Sequence, residues 1–334
     1  MKALVTGGGG FLGGAIVRQL LDRGDGVQIF ARGEYPRIQS LGARCLRGDL
    51  ADADAVSRAV EGVDVVYHVA AKAGVWGPYE SYFQANVKGT ENVLAACRKH
   101  GVGRLVHTST PSVVFHKDGM EGADESVPYA ERHLTHYAAT KAAAEKTVLE
   151  ANGNGLSTVA LRPHLIWGPG DNHLVPRIVA RAKAGKLKLV GDGEGKVDSV
   201  YIDNAARAHL LAADRLAPDS PVAGKVYFIS NDEPLPIGDL INKILGAAGL
   251  PPVTSRVSPR VAYAAGWFLE VIYRTLRLAG EPPMTRFVAR QLATPHWFDV
   301  SAAKRDLDYR PAISIDEGIR LLAKSFAGEV GDKS

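Results

Sequence analysis

The opening stretch MKALVTGGGGFLGGAIVRQLLDRG constrains the fold more than any other part of this 334-residue chain. Lys2 to Thr6 is a short apolar run with the length and composition of a parallel strand buried on both faces. Gly7, Gly10 and Gly13 follow, and from Phe11 a helical period takes over through Ile16, Val17, Leu20 and Leu21. Glycines in that turn let the backbone reverse sharply and let a diphosphate approach the amides that open the helix. A glycine-rich loop alone is a weak sign. Here it follows a strand, opens a helix and precedes a second apolar run, VQIFAR (Val27 to Arg32), at the distance of a βαβ unit. The pattern predicts an α/β chain built on a Rossmann-type doubly wound parallel sheet. Gly7, Gly10, Phe11, Leu12 and Gly13 then form a dinucleotide-binding turn.

The end of the second run reads the nucleotide. A ribose 2′-hydroxyl is usually held by an acid about 20 residues beyond the glycines. This chain has Ala31 and Arg32 there, so nothing repels a 2′-phosphate and a guanidinium is available to clamp it. That favours NADP(H) over NAD(H), with Arg37 as a second contact; a merely solvated strand end is the plainer reading of Arg32. Gly48-Asp49-Leu50 closes a third strand, where Asp49 is placed to accept from an adenine amino group. His68-Val69-Ala70-Ala71 ends a fourth, with Ala70 and Ala71 small enough for a flat ring to pass the backbone. A long helix is expected from Tyr79 to His100, carrying Asn86-Val87, and a fifth strand over RLVHTST, Arg104 to Thr110. Each has a structural explanation as a turn, a packing residue or a cap; their order is more specific than any one of them.

Tyr137 and Lys141 stand four residues apart in HYAATKAAAEK. On a helix that spacing puts phenol and ammonium one turn apart on one face. A free phenol titrates near ~10, and a fixed ammonium beside it is expected to lower that value and make the tyrosine a usable acid or base. Exposed helix decoration is the alternative, and only the upstream glycines argue against it.

TGxxGxxG, GDL, HVAA, NV-GT, a hydroxyl-bearing strand end, YxxxK and RPxxIWGPGD, in this order, resemble an extended short-chain dehydrogenase/reductase over nearly the whole chain. RPHLIWGPGD (Arg162 to Asp171), VYIDNAARAHLLA (Val200 to Ala212) and PPMTRF (Pro282 to Phe287) resemble its 3β-hydroxysteroid and sterol dehydrogenase group. AAKAGVWGPYESYFQANVKGTENV, HTSTPSVV and QLATPHW are similar to the bacterial 2-alkyl-3-oxoalkanoate reductases of long-chain olefin biosynthesis. The resemblance implies that Tyr137 donates a proton, Lys141 holds the nicotinamide ribose, and Thr110, with Ser109 as runner-up, binds the substrate carbonyl. It places Pro163 beside the cofactor. It implies reduction of a 2-alkyl-3-oxoalkanoic acid in the cytoplasm, with a 3β-hydroxysteroid or sterol as the alternative substrate. It also implies a homodimer through the Tyr79–His100 and Tyr137–Asn152 helices, and assembly with other olefin-biosynthesis enzymes, namely a β-lactone-forming enzyme and a hydrolase. Sugar dehydratases of this superfamily carry an Asp-Glu pair after the hydroxyl residue; Pro111-Ser112 stand here, so elimination of water is not expected. A nucleotide-sugar epimerase is disfavoured by Ala31-Arg32, and a non-catalytic NADP(H)-binding regulator by the retention of tyrosine, lysine and hydroxyl.

A lipid-like keto acid needs an apolar cleft and a cation. Trp76, Tyr82, Trp167 and Trp267 are candidate walls, with core packing as the plainer role of each, and Lys72 and His164 are candidate carboxylate partners. Residues 1–162 are read as the NADP-binding part, with 196–230 returning to it through KVYFIS (Lys225 to Ser230). The proline-bearing segments 163–195 and 231–300 are read as a substrate lobe, and 301–334 as a C-terminal segment. Hydrophobic residues make up 46% of the chain, ample for a core, and a strand starting at residue 2 leaves no room for a signal peptide. Cys45 and Cys97 read as reduced and structural. A net charge of +4 is too small for a nucleic-acid footprint, and the histidines lack ligand spacing, so no metal is expected. The basic run Arg181-Lys183-Lys186-Lys188 reads as a solvated face. VAYAAGWFLEVIYRTLRL (Val261 to Leu278) is broken by Glu270, Arg274 and Arg277, too charged to span a bilayer. It reads as a core or lid helix, or as a peripheral helix meeting a membrane surface or a partner.

Overall fold

The computed structural model describes residues 1–116 and 118–331. Seven strands form its main sheet: β1 (Lys2–Thr6), β2 (Gly26–Ala31), β3 (Arg44–Arg47), β4 (Val65–His68), β5 (Arg104–Thr108), β6 (Ser157–Pro163) and β7 (Lys225–Ile229). Their spatial order is β7-β6-β5-β4-β1-β2-β3, and every pairing is parallel. The inner strands β4 and β6 are buried along their whole length because helices cover both faces, whereas the edge strand β3 leaves Arg44 and Arg47 exposed. Ala3 and Val5 pack with Ile16 and Leu20 on one side, while Leu4 packs with Val66, Val93 and Leu105 on the other. The chain reverses direction of travel between β1 and β4, so their carboxyl ends open a crevice. Four helices bear on the site: α1 (Phe11–Asp22), α2 (Gly89–Lys99), α3 (His136–Glu150) and α4 (Ile202–Arg215).

The expected strands stop slightly early. The second ends at Ala31 and the fifth at Thr108, which leaves Arg32, Ser109 and Thr110 just beyond the sheet. The helix expected over Tyr79–His100 is interrupted by a π-helical stretch at Phe83–Lys88 before α2 begins. That turn points Asn86 inward, where its amide is consumed by the Lys72 backbone and the Thr140 hydroxyl.

The smaller lobe gathers distant pieces. Leu235–Pro236, Lys196–Val197, His296–Phe298 and Met120–Ala123 form one four-stranded sheet. Within 196–230 only β7 joins the main sheet; Lys196–Val197 pairs with Leu235–Pro236 and with His296, and Val200–Tyr201 pairs with Ile166–Trp167. Met120–Ala123, from within 1–162, also leaves the nucleotide part for this sheet. The chain re-enters the main sheet at β7, as KVYFIS suggested. A final helix, Ile315–Gly331, closes the C-terminal segment, whose last residues, 332–334, lie outside the described residues.

Helix α5 (Pro259–Thr275) is begun by Ser258, which accepts from the Val261 amide, and by Pro259. Its inner face is Ala262, Gly266 and Glu270. Gly266 lies so close to the Thr285–Arg286 backbone that a Cβ would stand 2.7 Å from the Thr285 carbonyl carbon. Glu270 accepts from both the amide and the side chain of Arg286 at 2.7 Å. Its outer face is apolar and exposed through Val261, Trp267, Phe268 and Val271, continued by Leu276 and Leu278. It is therefore no core helix. No helix among the described residues is long and apolar enough to cross a membrane.

Candidate active site

A cleft of ≈ 660 Å³ opens at the carboxyl ends of the main strands. At its base, Gly7 turns the chain with φ 68°, and a Cβ there would lie 2.9 Å from Ala70 Cα. A Cβ on Gly13 would stand 2.2 Å from the Gly7 carbonyl oxygen. Only glycine permits this fold of the loop, which brings backbone amides and the start of α1 to the cleft. Thr6 stiffens the facing wall: its Oγ1 accepts from the Val69 and Ala70 amides, both at 3.1 Å. Such a cradle, open to the cleft and closed to side chains, fits a dinucleotide diphosphate.

Arg32 and Asp49 line the outer end of the cleft with Ala31, Tyr35 and Leu50. The Arg32 carbonyl accepts from Arg47, and its exposed guanidinium has no hydrogen-bond partner among the described residues. One Asp49 carboxylate oxygen accepts from the Ala51 amide at 2.9 Å. Tyr35 was not foreseen; its ring covers Gly9 so closely that a Cβ there would sit 2.2 Å from it. Arg37 is exposed and does not line the cleft.

At the inner end the cleft is lined by Ala70, Ala71, Thr110, Tyr137, Lys141 and Pro163. Thr135 starts α3 by accepting from the Ala138 amide, which sets Tyr137 and Lys141 on its inward face. Lys141 is buried and its Nζ donates to the Thr108 carbonyl at 2.6 Å, with His107 Nε2 at 3.1 Å. Burial lowers Lys141 to about 7, opposed by the charge of Glu145. The phenol behaves contrary to the expectation from spacing. Burial raises Tyr137 to about 12, and hydrogen bonding with Thr110 offsets only part of that. Removal from water penalises the charged form of each group, and here that outweighs any help from the neighbouring ammonium. Thr110 Oγ1 caps the short turn Pro111–Val113, accepting from the Ser112 amide. Ser109 also lines the cleft, and its buried Oγ has no partner among the described residues.

On the substrate side, Lys72 lines the cleft. Its backbone is fixed at both ends by Asn86, whose Oδ1 accepts from the Lys72 amide at 2.7 Å and whose Nδ2 donates to the Lys72 carbonyl at 3.1 Å. The Lys72 ammonium lies 5.1 Å from the centre of the Tyr82 ring. His164 is not available to a substrate: it is buried, 2.5 Å from Asp198, and packed against His296 and Phe298. Trp167 is core, donating to Ser199, and Trp267 faces outward on α5. Tyr82 is buried, its hydroxyl donating to the Trp76 carbonyl, and Trp76 meets Tyr273 of α5 edge-on. Leu165, Ile166 and Asp171 to His173 complete the wall without having been singled out by sequence. Leu165 has φ 41°, a left-handed conformation unusual for a branched side chain.

A profile of the 3-beta hydroxysteroid dehydrogenase/isomerase family matches residues 4–258. The chain belongs to that family. A 2-alkyl-3-oxoalkanoate reductase of Stenotrophomonas maltophilia is 57% identical over 331 residues, covering 98% of this chain and 100% of the relative. One of Shewanella oneidensis is 53% identical, covering 97% and 86%. The decarboxylating sterol-4-alpha-carboxylate 3-dehydrogenase of Mus musculus is 33% identical, covering 97% and 91%. Among solved structures, gox2253 superposes with a TM-score of 0.80 at 27% identity, covering 98% of both chains. A dTDP-glucose 4,6-dehydratase (DesIV double mutant) from Streptomyces venezuelae with NAD and DAU bound gives 0.76 at 25%, covering 99% and 98%. The resemblance read from motif order is thus the family found by whole-chain comparison.

Proposed function

We propose that this chain reduces the ketone of a 2-alkyl-3-oxoalkanoic acid with NADPH, giving the 2-alkyl-3-hydroxyalkanoic acid of olefin biosynthesis. The observation that carries the reading is the convergence, on one cleft, of a glycine cradle with Tyr137, Lys141 and Thr110, in a chain 57% identical to a reductase of that name. Gly7, Gly10, Phe11, Leu12 and Gly13 would hold the diphosphate of a nicotinamide dinucleotide, and Arg32, Asp49 and Leu50 its adenosine. Ala70, Ala71 and Pro163 flank the nicotinamide end. When bound and reduced, the cofactor supplies a hydride to the carbonyl carbon. Thr110 and Tyr137 hydrogen-bond the carbonyl oxygen, where negative charge develops. Tyr137 then passes its phenolic proton to that oxygen. A phenol held protonated by burial suits this direction of reaction, because the proton donor is loaded at neutral pH. Lys141 stabilises the resulting phenolate and holds the nicotinamide ribose. Lys72 is the cation proposed for the substrate carboxylate.

The sheet order and the cleft support reading residues 1–162, with 196–230 returning through β7, as the nucleotide part and 163–195 and 231–300 as the substrate lobe, apart from Met120–Ala123 and Lys196–Val197, which join the smaller sheet. A homodimer through the helices over Tyr79–His100 and Tyr137–Asn152, and a cytoplasmic chain that meets a lipid surface or its pathway partners through α5, complete the proposal. The exposed apolar face of α5 beside Arg274 and Arg277 supports that last element. A molecular mass of one chain in solution and no retention on anionic vesicles would remove both.

The keto acid decarboxylates readily, so the reaction is best followed backwards. A racemic 2-alkyl-3-hydroxyalkanoic acid is expected to drive NADP⁺ reduction, and a 3β-hydroxysteroid is not. The opposite result would assign the chain to the sterol branch instead, the reading favoured by its likeness to the mouse enzyme.

A further inference from the structure

Lys141 is gripped from the protein side by a histidine that no part of the proposed reaction uses. His107, the fourth residue of β5, is 1% exposed. Its Nε2 lies 3.1 Å from Lys141 Nζ, and its Nδ1 has no partner. The polar neighbours of His107 are otherwise committed. His68, on β4, lies tilted against it at 5.2 Å between ring centres. Thr90 Oγ1 donates to the Asn86 carbonyl at 2.6 Å, so it can only accept from His68 Nε2 at 2.9 Å. Thr6 Oγ1, accepting from two amides, donates to His68 Nδ1 at 2.9 Å. His68 is therefore neutral and fully used. His209, on α4, is used likewise: Nδ1 donates to the Ala205 carbonyl at 2.7 Å and Nε2 accepts from Thr108 Oγ1 at 2.9 Å. Among the described residues, Lys141 alone hydrogen-bonds His107.

We propose that His107 is a positioning residue for Lys141: its Nε2 accepts one Nζ proton while the Thr108 carbonyl accepts a second, leaving the third N–H for the cleft. The inference rests on the reading of Lys141 as the cation of the site. A flexible lysine stem carries three donors that rotate freely, and two fixed acceptors remove that freedom. Nearby charge keeps His107 in the form that can accept. Burial and the Lys141 ammonium both hold it well below the usual histidine range, so it stays neutral. The other titratable groups facing the pair are His68, His209, Tyr137 and Glu145, and the Glu145 carboxylate is already taken by Arg162 and Tyr129. The cost of the arrangement is visible in the structure. When Lys141 is an ammonium, His107 carries its proton on Nδ1, an N–H left without a partner in the interior. A buried group is not left so without compensation, and the grip on Lys141 is the compensation present.

The sign of the effect follows. An acceptor at Nζ favours the charged amine, so removing it lowers the pH at which Lys141 loses its proton. In the intact chain labelled at lysine Cε, the Lys141 resonance, identified by its loss in Lys141→Met, is expected to titrate about one pH unit lower in His107→Phe, the shift equivalent to one modest hydrogen bond. His107→Gln, which keeps an acceptor at similar reach, is expected to restore the midpoint. The kcat–pH profile should move with it, with kcat down about tenfold in His107→Phe and KM little changed. An unmoved midpoint in His107→Phe, or equal losses in both variants with an unchanged pH profile, would overturn the proposal and leave His107 a packing residue. If His107→Phe does not fold, ¹⁵N-histidine spectra of the unaltered chain decide. Protonation of His107 at Nδ1 agrees with the proposal, and at Nε2 contradicts it. None of the spectroscopic readouts needs a substrate, so a wrong keto acid and a wrong histidine fail separately.

Discussion

On the proposed reading, Arg32 is the one side chain at a strand end that would select the cofactor. Strand β2 stops at Ala31, so Arg32 stands free of the sheet at the outer end of the cleft, its guanidinium without a competing partner among the described residues. A guanidinium–phosphate contact contributes roughly 1.5–3 kcal/mol, which is about 10- to 100-fold in binding. Arg32→Ala is therefore expected to weaken NADPH by that factor and leave NADH nearly unchanged, as measured by fluorescence titration of each; equal losses for both would remove the 2′-phosphate assignment. The proposed cofactor preference could be read from position 32 because it depends on residue type at one place. The ionisation of Tyr137 could not. Spacing gives the neighbour but not the water, and burial raises the phenol to about 12 instead of lowering it. Lys141 obeys the same rule with the opposite sign. Folding holds it near 7 against an ordinary value of 10.5. The folded chain therefore carries a full penalty for the charge below pH 7, and the penalty fades as pH rises toward 10.5.

At the scale of elements, the glycine loop and the π-helical stretch differ in how they announce themselves. Gly13 is legible because a turn with three spaced glycines between an apolar run and a helical period has few other uses. Its constraint is severe, since a Cβ would press on the Gly7 carbonyl oxygen and on Gly8 Cα, both backbone. Gly13→Ala is expected to lower stability by about 1–3 kcal/mol and to weaken NADPH at least about tenfold by moving the amides. Thermal melts with and without NADPH check both, and a melt raised by NADPH as much as in the unaltered chain would contradict the role of the loop. The π turn at Phe83–Lys88 leaves no such mark. It depends on Asn86 finding the Lys72 backbone and the Thr140 hydroxyl, partners far away in sequence. His107 escaped notice for the same reason: its meaning lies in Lys141, thirty-four positions on.

For the molecule as a whole, the nucleotide part is built from consecutive βα units, each with its own local period, and its order could be read along the chain. The smaller lobe could not be read that way. Its four-stranded sheet joins Met120–Ala123, Lys196–Val197, Leu235–Pro236 and His296–Phe298, elements of two to four residues that are too short to carry a period. That is why Lys196–Val197 reads in sequence as nucleotide part and why His164, buried against Asp198 and His296, reads as a substrate partner. The same lobe holds α5 across the Trp76 loop, with Glu281 accepting from the Val75 amide at 3.0 Å, so the loop that follows cleft-lining Lys72 and Ala73 and the exposed apolar face are neighbours. Both lobes serve one claim, that Tyr137 delivers the proton to a ketone reduced on this cleft. Tyr137→Phe removes the proton and keeps the ring. The account predicts that NADPH still binds with unchanged affinity while kcat for the 2-alkyl-3-oxoalkanoic acid, or for its hydroxy acid in reverse, falls by at least about a hundredfold. Turnover within a few-fold of the unaltered chain would contradict it.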